Sequence, residues 1–174
     1  YVKVRAATNK NESGKVNTLA TGGIRSSVEL RGEVPPAVPM KNGPWTIKKR
    51  NKIYENKYGL KVWEDEVVRP DGKNGIHGVV NIRTGVGVLA VDDLGFAYLT
   101  KEFHYAVGRV GIETAAGAID EGEKPLDAAK RELKEELGIT AKEWTYLGQV
   151  DPLTTILSGP QHLFLARKLE FGDA

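Results

Sequence analysis

No cysteine occurs anywhere in this chain, so a disulfide framework, a thiolate nucleophile and a zinc–thiolate centre are all excluded. The three histidines, His77, His104 and His162, are too widely separated to form a local ligand motif. Uninterrupted apolar runs are short, and none approaches the ~18 residues of a membrane-spanning helix. The opening residues YVKVRAATNK lack the apolar segment of a secretory signal. Neither sign of charge dominates: 25 basic and 23 acidic side chains leave a net +2, which gives no electrostatic case for nucleic acid or an anionic membrane. The expected setting is the cytoplasm, and the 174 residues fit one domain with a real core.

Aromatics are missing from residues 2–39, a stretch rich in Asn, Ser, Thr, Gly and Val that ends in the breaker run Glu33-Val-Pro-Pro-Ala-Val-Pro39. Residues 1–39 are expected to be an arm or extension, with short strands at most, near Tyr1–Ala6 and Ser26–Leu30. Met40, the sole methionine, is a candidate natural start for a domain spanning 40–174. From Trp45 the pattern is β-rich. Strands are expected over Trp45–Glu55, Leu60–Val68, His77–Arg83, Val86–Val91, Phe96–Thr100, Trp144–Val150 and His162–Phe171. Turns fall at Pro70-Asp71-Gly72 and Asp92-Asp93-Leu94-Gly95. Strands on both sides of a central helix indicate an α+β or α/β sandwich.

That helix lies within GAIDEGEKPLDAAKRELKEELGI, residues 117–139. Pro125 suits a first helical turn, and Asp127 places an acid where the helix dipole favours one. Ala128, Ala129, Leu133 and Leu137 are good helix formers, and Gly138 supplies a C-terminal stop. At about 100° per residue, Leu126, Ala129, Leu133 and Leu137 form one stripe facing a core. Glu132, Glu135 and Glu136 occupy i, i+3 and i+4 on the adjoining face, where like charges repel. Two compensations are open. Arg131, Lys130 and Lys134 could neutralise a solvated face, or a hard divalent cation could bind carboxylate and carbonyl oxygens and leave waters for a phosphate-bearing substrate.

The full pattern favours the cation. Gly117, then Glu123, then Arg131-Glu132-Leu133-Lys134-Glu135-Glu136-Leu137-Gly138-Ile139 resembles the Nudix box G-x5-E-x7-R-E-U-x-E-E-x-G-U, with U aliphatic, at every fixed position. The resemblance covers about Trp45–Leu169. It implies an α/β/α sandwich of the α+β class, a mixed sheet packed between helices, with the box as loop–helix–loop. It also implies Mg2+ or Mn2+ as cofactor and hydrolysis of a nucleoside diphosphate linked to another moiety. By position, Glu132 and Glu136 would be main metal ligands and Glu135 a ligand or base. Arg131 would orient the glutamates, and Glu123 would support them or hold an additional ion.

The flanks resemble the ADP-ribose and ADP-sugar pyrophosphatase branch. A strand end like Gln-Tyr-Arg and an entrance Glu-Leu-Pro-Ala-Gly stand there; this chain has Lys101-Glu-Phe-His104-Tyr105 and Glu113-Thr-Ala-Ala-Gly117. The Ala116 carbonyl would complete the metal site. His104 stands where an arginine often contacts the pyrophosphate, and a neutral imidazole holds phosphate less strongly than a guanidinium fork. Glu113, Arg109, His104 and Tyr105 are the candidate substrate contacts, and Pro152 is a weak marker of ADP-ribose-type substrates. The branch also implies a homodimer that pairs or exchanges N-terminal strands, for which Trp45–Val68 is available.

In-line attack of water on phosphorus needs its charge neutralised and its nucleophile activated. The branch usually carries a glutamate base in an acidic loop after the strand that resembles Leu163–Leu169. No residue after Leu169 matches that loop, since only Glu170 and Asp173 are acidic. The expectation is therefore that a box glutamate such as Glu135 is the base, or that this is a slow, C-terminally short form. Rival readings are a Nudix hydrolase of dinucleoside polyphosphates, coenzyme A or NADH, and a nucleotide-sugar sensor with weak catalysis.

Overall fold

The computed structural model describes residues 2–5 and 39–172. Its strands begin with β1 (Val2–Arg5), β2 (Met40–Asn42), β3 (Trp45–Glu55), β4 (Lys61–Val68) and β5 (Asn74–Asn81). There follow β6 (Gly85–Val91), β7 (Phe96–His104), β8 (Arg109–Glu113) and β9 (Ala115–Ala118). The helix α1 (Pro125–Leu137) then leads to β10 (Ile139–Val150), β11 (Leu157–Ser158) and β12 (Gln161–Phe171).

Two sheets result. The first has seven strands in the order β1-β7-β6-β12-β10, with β8 added to β7 and β9 to β6. Only β6 and β12 run parallel in it, Gln161 to Ala166 lying beside Gly85 to Ala90. One edge of β6 is shared: its first half, Gly85 to Val88, pairs with β9, and its end, Ala90 and Val91, pairs with β7. That split matters for the site, because β7 continues away from β6 as a ribbon with β8 while β9 delivers the box to α1. The second sheet, β11-β5-β4-β3-β2, is a meander closed by a short parallel strand. Its buried Asp65 accepts two hydrogen bonds of 2.7 Å from the Arg50 guanidinium, so the buried carboxylate is paired.

Helix α1 packs its expected stripe on the first sheet. Ala129, Leu133 and Leu137 are buried with Ala128 against Val86, Val88, Ala115, Ile139, Phe164 and Ala166, and Leu126 lies at the margin. Gly138 ends the helix at φ 65°, its N–H bonded to the Lys134 carbonyl, a conformation that an L side chain adopts only with strain. The α+β class is as expected, and α1 is the one helix among the described residues.

The strand expected near Tyr1–Ala6 is β1, which pairs with Phe96 to Leu99; the one expected at Ser26–Leu30 lies outside the described residues. Several boundaries differ. The strand expected at His77–Arg83 runs instead from Asn74 to Asn81. The Arg69–Lys73 turn sets its register opposite β4 at once, and Gly75 and Gly78 hide its alternation. The strand expected to stop at Thr100 reaches His104 because β8 pairs with it. The strand expected from Trp144 starts at Ile139, directly after the Gly138 turn. β8 and β9 were not anticipated; Ala-Ala-Gly-Ala has little β propensity, and pairing with β6 makes it a strand.

Candidate active site

The box entrance and α1 meet at β9. Glu132 is among the few buried charged residues, and its carboxylate lies directly over the Cα of Gly117. Any Cβ at 117 would overlap that carboxylate, so the glycine is a steric requirement rather than a turn residue. One residue earlier, the Ala116 N–H donates to Glu136 Oε2 at 3.2 Å. Glu132 and Glu136 therefore settle on adjacent residues of one strand, which their i, i+4 spacing on the helix allows. The Ala116 carbonyl, expected as a metal ligand, belongs to this same residue of β9.

Arg131 organises the rest. Its Nε and Nη2 donate to the two oxygens of Glu123 at 3.0 and 2.9 Å, Nη1 donates to Glu132 Oε1 at 2.6 Å, and Nη2 also donates to the Ala118 carbonyl at 3.0 Å. Nη1 also reaches Glu135 at 3.4 Å, and Glu135 is mostly exposed. The bidentate fork fixes the guanidinium plane in a way that a lysine would not. Glu123 is anchored a second time by the Asp120 N–H, at 3.0 Å. Arg131 foremost, then that N–H, holds the Glu123 carboxyl down at about 2. Glu136 moves the other way. Burial pushes its carboxyl up, and the charges of Glu132, Glu102 and Glu113 push in the same direction, against the Ala116 N–H.

The box glutamates Glu132, Glu135, Glu136 and Glu123 offer only oxygens, as Mg2+ or Mn2+ prefers. Glu132 is seated by Gly117 and Arg131 before any ion arrives, whereas both Glu123 oxygens are engaged by Arg131, and no three of these carboxylates bring ligand atoms within 4.8 Å of one another.

The expected substrate contacts lie on the β7–β8 ribbon. Strand alternation puts Glu102, His104 and Glu113 on one face, where His104 Nε2 stands 3.5 Å from Glu113 Oε1. Glu102 was not anticipated. Arg109, opposite His104 in the register, is exposed at the outer end of the ribbon, and Tyr105 is almost wholly exposed in the turn. Glu170, one of the two tail acids, pairs with Lys142 at 2.5 Å near the end of β12. It lies nine residues along that strand from Gln161, which neighbours Gly85, so roughly 30 Å of extended chain separates it from the box end of the sheet. Asp173 lies outside the described residues.

An open cleft of about 350 Å3 adjoins the box entrance, lined by Tyr58, Ile82, Arg83, Gly85, Gln161 and the Ala116–Ala118 strand. Gly85 leaves room for the Gln161 carboxamide, and Arg83 Nη1 donates to Asp120 Oδ1 at 3.2 Å. Tyr58 sits in a turn made by the Asn56 side chain, which accepts from the N–H groups of Tyr58 and Leu60. Sequence reasoning missed this cleft. An aromatic between Asn56 and Gly59 was its only signal.

Comparison with known proteins agrees with this geometry. Residues 81–168 match the NUDIX domain family. An ADP-ribose pyrophosphatase of Bacillus subtilis (strain 168) is 32% identical over 120 residues, 69% of this chain and 64% of that protein. An ADP-ribose pyrophosphatase of Mycobacterium tuberculosis is 32% identical over 106 residues, 60% of this chain and 51% of that protein. This chain thus spans between about half and two thirds of the length of these relatives. The crystal structure of an ADP compounds hydrolase superposes with a TM-score of 0.65 at 20% identity, covering 78% of this chain and 73% of that one, which shows the shared fold. With its complete box carried on β9 and α1, this chain belongs to the Nudix family.

Proposed function

We propose that this protein hydrolyses the pyrophosphate bond of a nucleoside diphosphate sugar, with ADP-ribose or an ADP-sugar as substrate and Mg2+ or Mn2+ as cofactor. The observation that carries the reading is the placement of two box carboxylates on adjacent residues of β9, Glu132 over Gly117 in the Arg131 clamp and Glu136 on the Ala116 N–H. The names of the Bacillus and Mycobacterium relatives support the substrate class.

Bound divalent ions would neutralise charge on the diphosphate and lower the pKa of a water molecule. The chain supplies the rest. Glu132 and Glu136 would hold the ions, and Arg131 keeps Glu132 in one orientation. Glu135 is an exposed box carboxylate and is the proposed acceptor of the water's proton. The water oxygen bonds to one phosphorus, the bridging P–O bond breaks, and the products are a nucleoside monophosphate and a sugar phosphate. The Tyr58 ring and Arg83 guanidinium offer the adjoining cleft a stacking face and a phosphate partner.

The accompanying proposals are a cytoplasmic homodimer and a catalytic domain of residues 40–174. The exposed Ile53, Tyr54 and Ile76 of the second sheet support pairing of copies. A Mg2+-dependent hydrolysis screen of ADP-ribose, ADP-sugars, UDP-sugars, NADH and dinucleoside polyphosphates, with product identification, tests the reading. AMP and ribose 5-phosphate from ADP-ribose are expected. Ligand-induced melting shifts without turnover would replace the enzyme by a sensor.

A further inference from the structure

Glu102, His104 and Glu113 offer one ligand atom each within 4.8 Å of one another, the one such group of three among the described residues. Glu102 faces Gly111 across the ribbon, so the position between the three side chains holds no side chain of its own. The His104 ring lies against that glycine, where any Cβ would overlap it, and the imidazole is thereby seated with Nε2 toward Glu113. Arg109 shares this face opposite His104, so two carboxylates stand against one guanidinium and negative charge is in excess. Glu102 forms no ion pair among the described residues, and Arg131 is committed to the box carboxylates.

We propose that Glu102, His104 and Glu113 form a second cation site, distinct from the box, that takes a transition-metal dication such as Mn2+, Co2+ or Zn2+ through one imidazole nitrogen and two carboxylate oxygens. A nitrogen donor selects such ions over Mg2+, which prefers oxygen, so the two sites differ in preference. Ligand atoms about 2.1 Å from a shared ion stand roughly 3–4.3 Å apart, and rotation of the exposed glutamates closes the small remaining gap. A protonated His104 bridging two glutamates is the competing arrangement, and it predicts no bound ion. The site's use beside the diphosphate rests on the proposed function; its existence does not.

Mn2+ titration of the full chain, followed by continuous-wave and pulsed electron paramagnetic resonance, decides between them. The expected result is a bound Mn2+ with nitrogen coupling. His104→Ala should remove the coupling and lower the bound Mn2+ by one ion per chain, and Glu102→Gln should weaken that ion at least about tenfold. In Glu136→Gln the nitrogen-coupled ion should persist. Absence of nitrogen coupling in the unaltered protein, or its persistence in a folded His104→Ala variant, overturns the proposal. If coupling is present while no nucleoside diphosphate is hydrolysed, the site stands and the proposed function falls.

Discussion

Arg131 touches more of the site than any other side chain, so residue-scale tests begin with its partners. Glu123 is held at about 2 by the guanidinium and the Asp120 N–H, below the ordinary ~4.3 of a glutamate. A folded-state pKa lowered in this way adds stability that is fully present above about pH 4.3 and is lost as pH falls through about 2. Melting temperature measured from pH 7 to 2 should therefore decline more gently at its acid end in Glu123→Gln than in the unaltered protein. Superimposable acid limbs would show that the clamp contributes nothing. Gly117 makes a steric prediction. Gly117→Ala leaves φ unstrained but puts a methyl where the Glu132 carboxylate lies, so turnover should fall at least about tenfold with only a small change in melting temperature. The box residues were legible because their pattern is fixed in number and type along one continuous strand–loop–helix segment. The Glu102 contribution and the Tyr58 cleft were not, because strand pairing and sheet apposition create them, and neither leaves a periodic trace.

At the scale of elements, α1 shows where local sequence is sufficient. Pro125 at its start, Gly138 just past its end and the apolar stripe between them all agree, and the helix runs from Pro125 to Leu137. Leu133 is fully buried in the core cluster, so Leu133→Ala should cost about 2–5 kcal/mol in denaturant unfolding. Gly138→Ala should cost about 1 kcal/mol, since alanine resists the left-handed conformation at φ 65°. Comparable stability in both variants would mean that α1 is not held as described. Strands were read less well. Trp45–Glu55 has the expected bounds, whereas β8 and β9 take their conformation from partners. Arg109–Glu113 pairs with the extension of β7, and Ala115–Ala118 pairs with β6, although its own composition favours no strand.

For the whole molecule, sequence indicated the α+β class but not the division of one edge of β6 between β7 and β9, nor the parallel seating of β12. These are long-range choices. They put the box strand and the Glu102–His104 ribbon on either side of the break, and hydrophobic periodicity does not record them. Light scattering at micromolar concentration should give the mass of two chains, about twice 19.0 kDa; a mass of one chain would contradict pairing through the exposed apolar residues of the second sheet. The central claim is that carboxylates seated by α1 on β9 run a divalent-ion-dependent pyrophosphate hydrolysis. The most direct test is the initial rate of AMP release from ADP-ribose in Mg2+, for the unaltered chain and for Glu132→Gln and Glu136→Gln, with melting temperatures measured alongside. The account predicts ion-dependent release by the unaltered chain and a loss of at least about 100-fold in each variant at nearly unchanged melting temperature. Near-normal turnover in either folded variant, or release that ignores the ion, would contradict it.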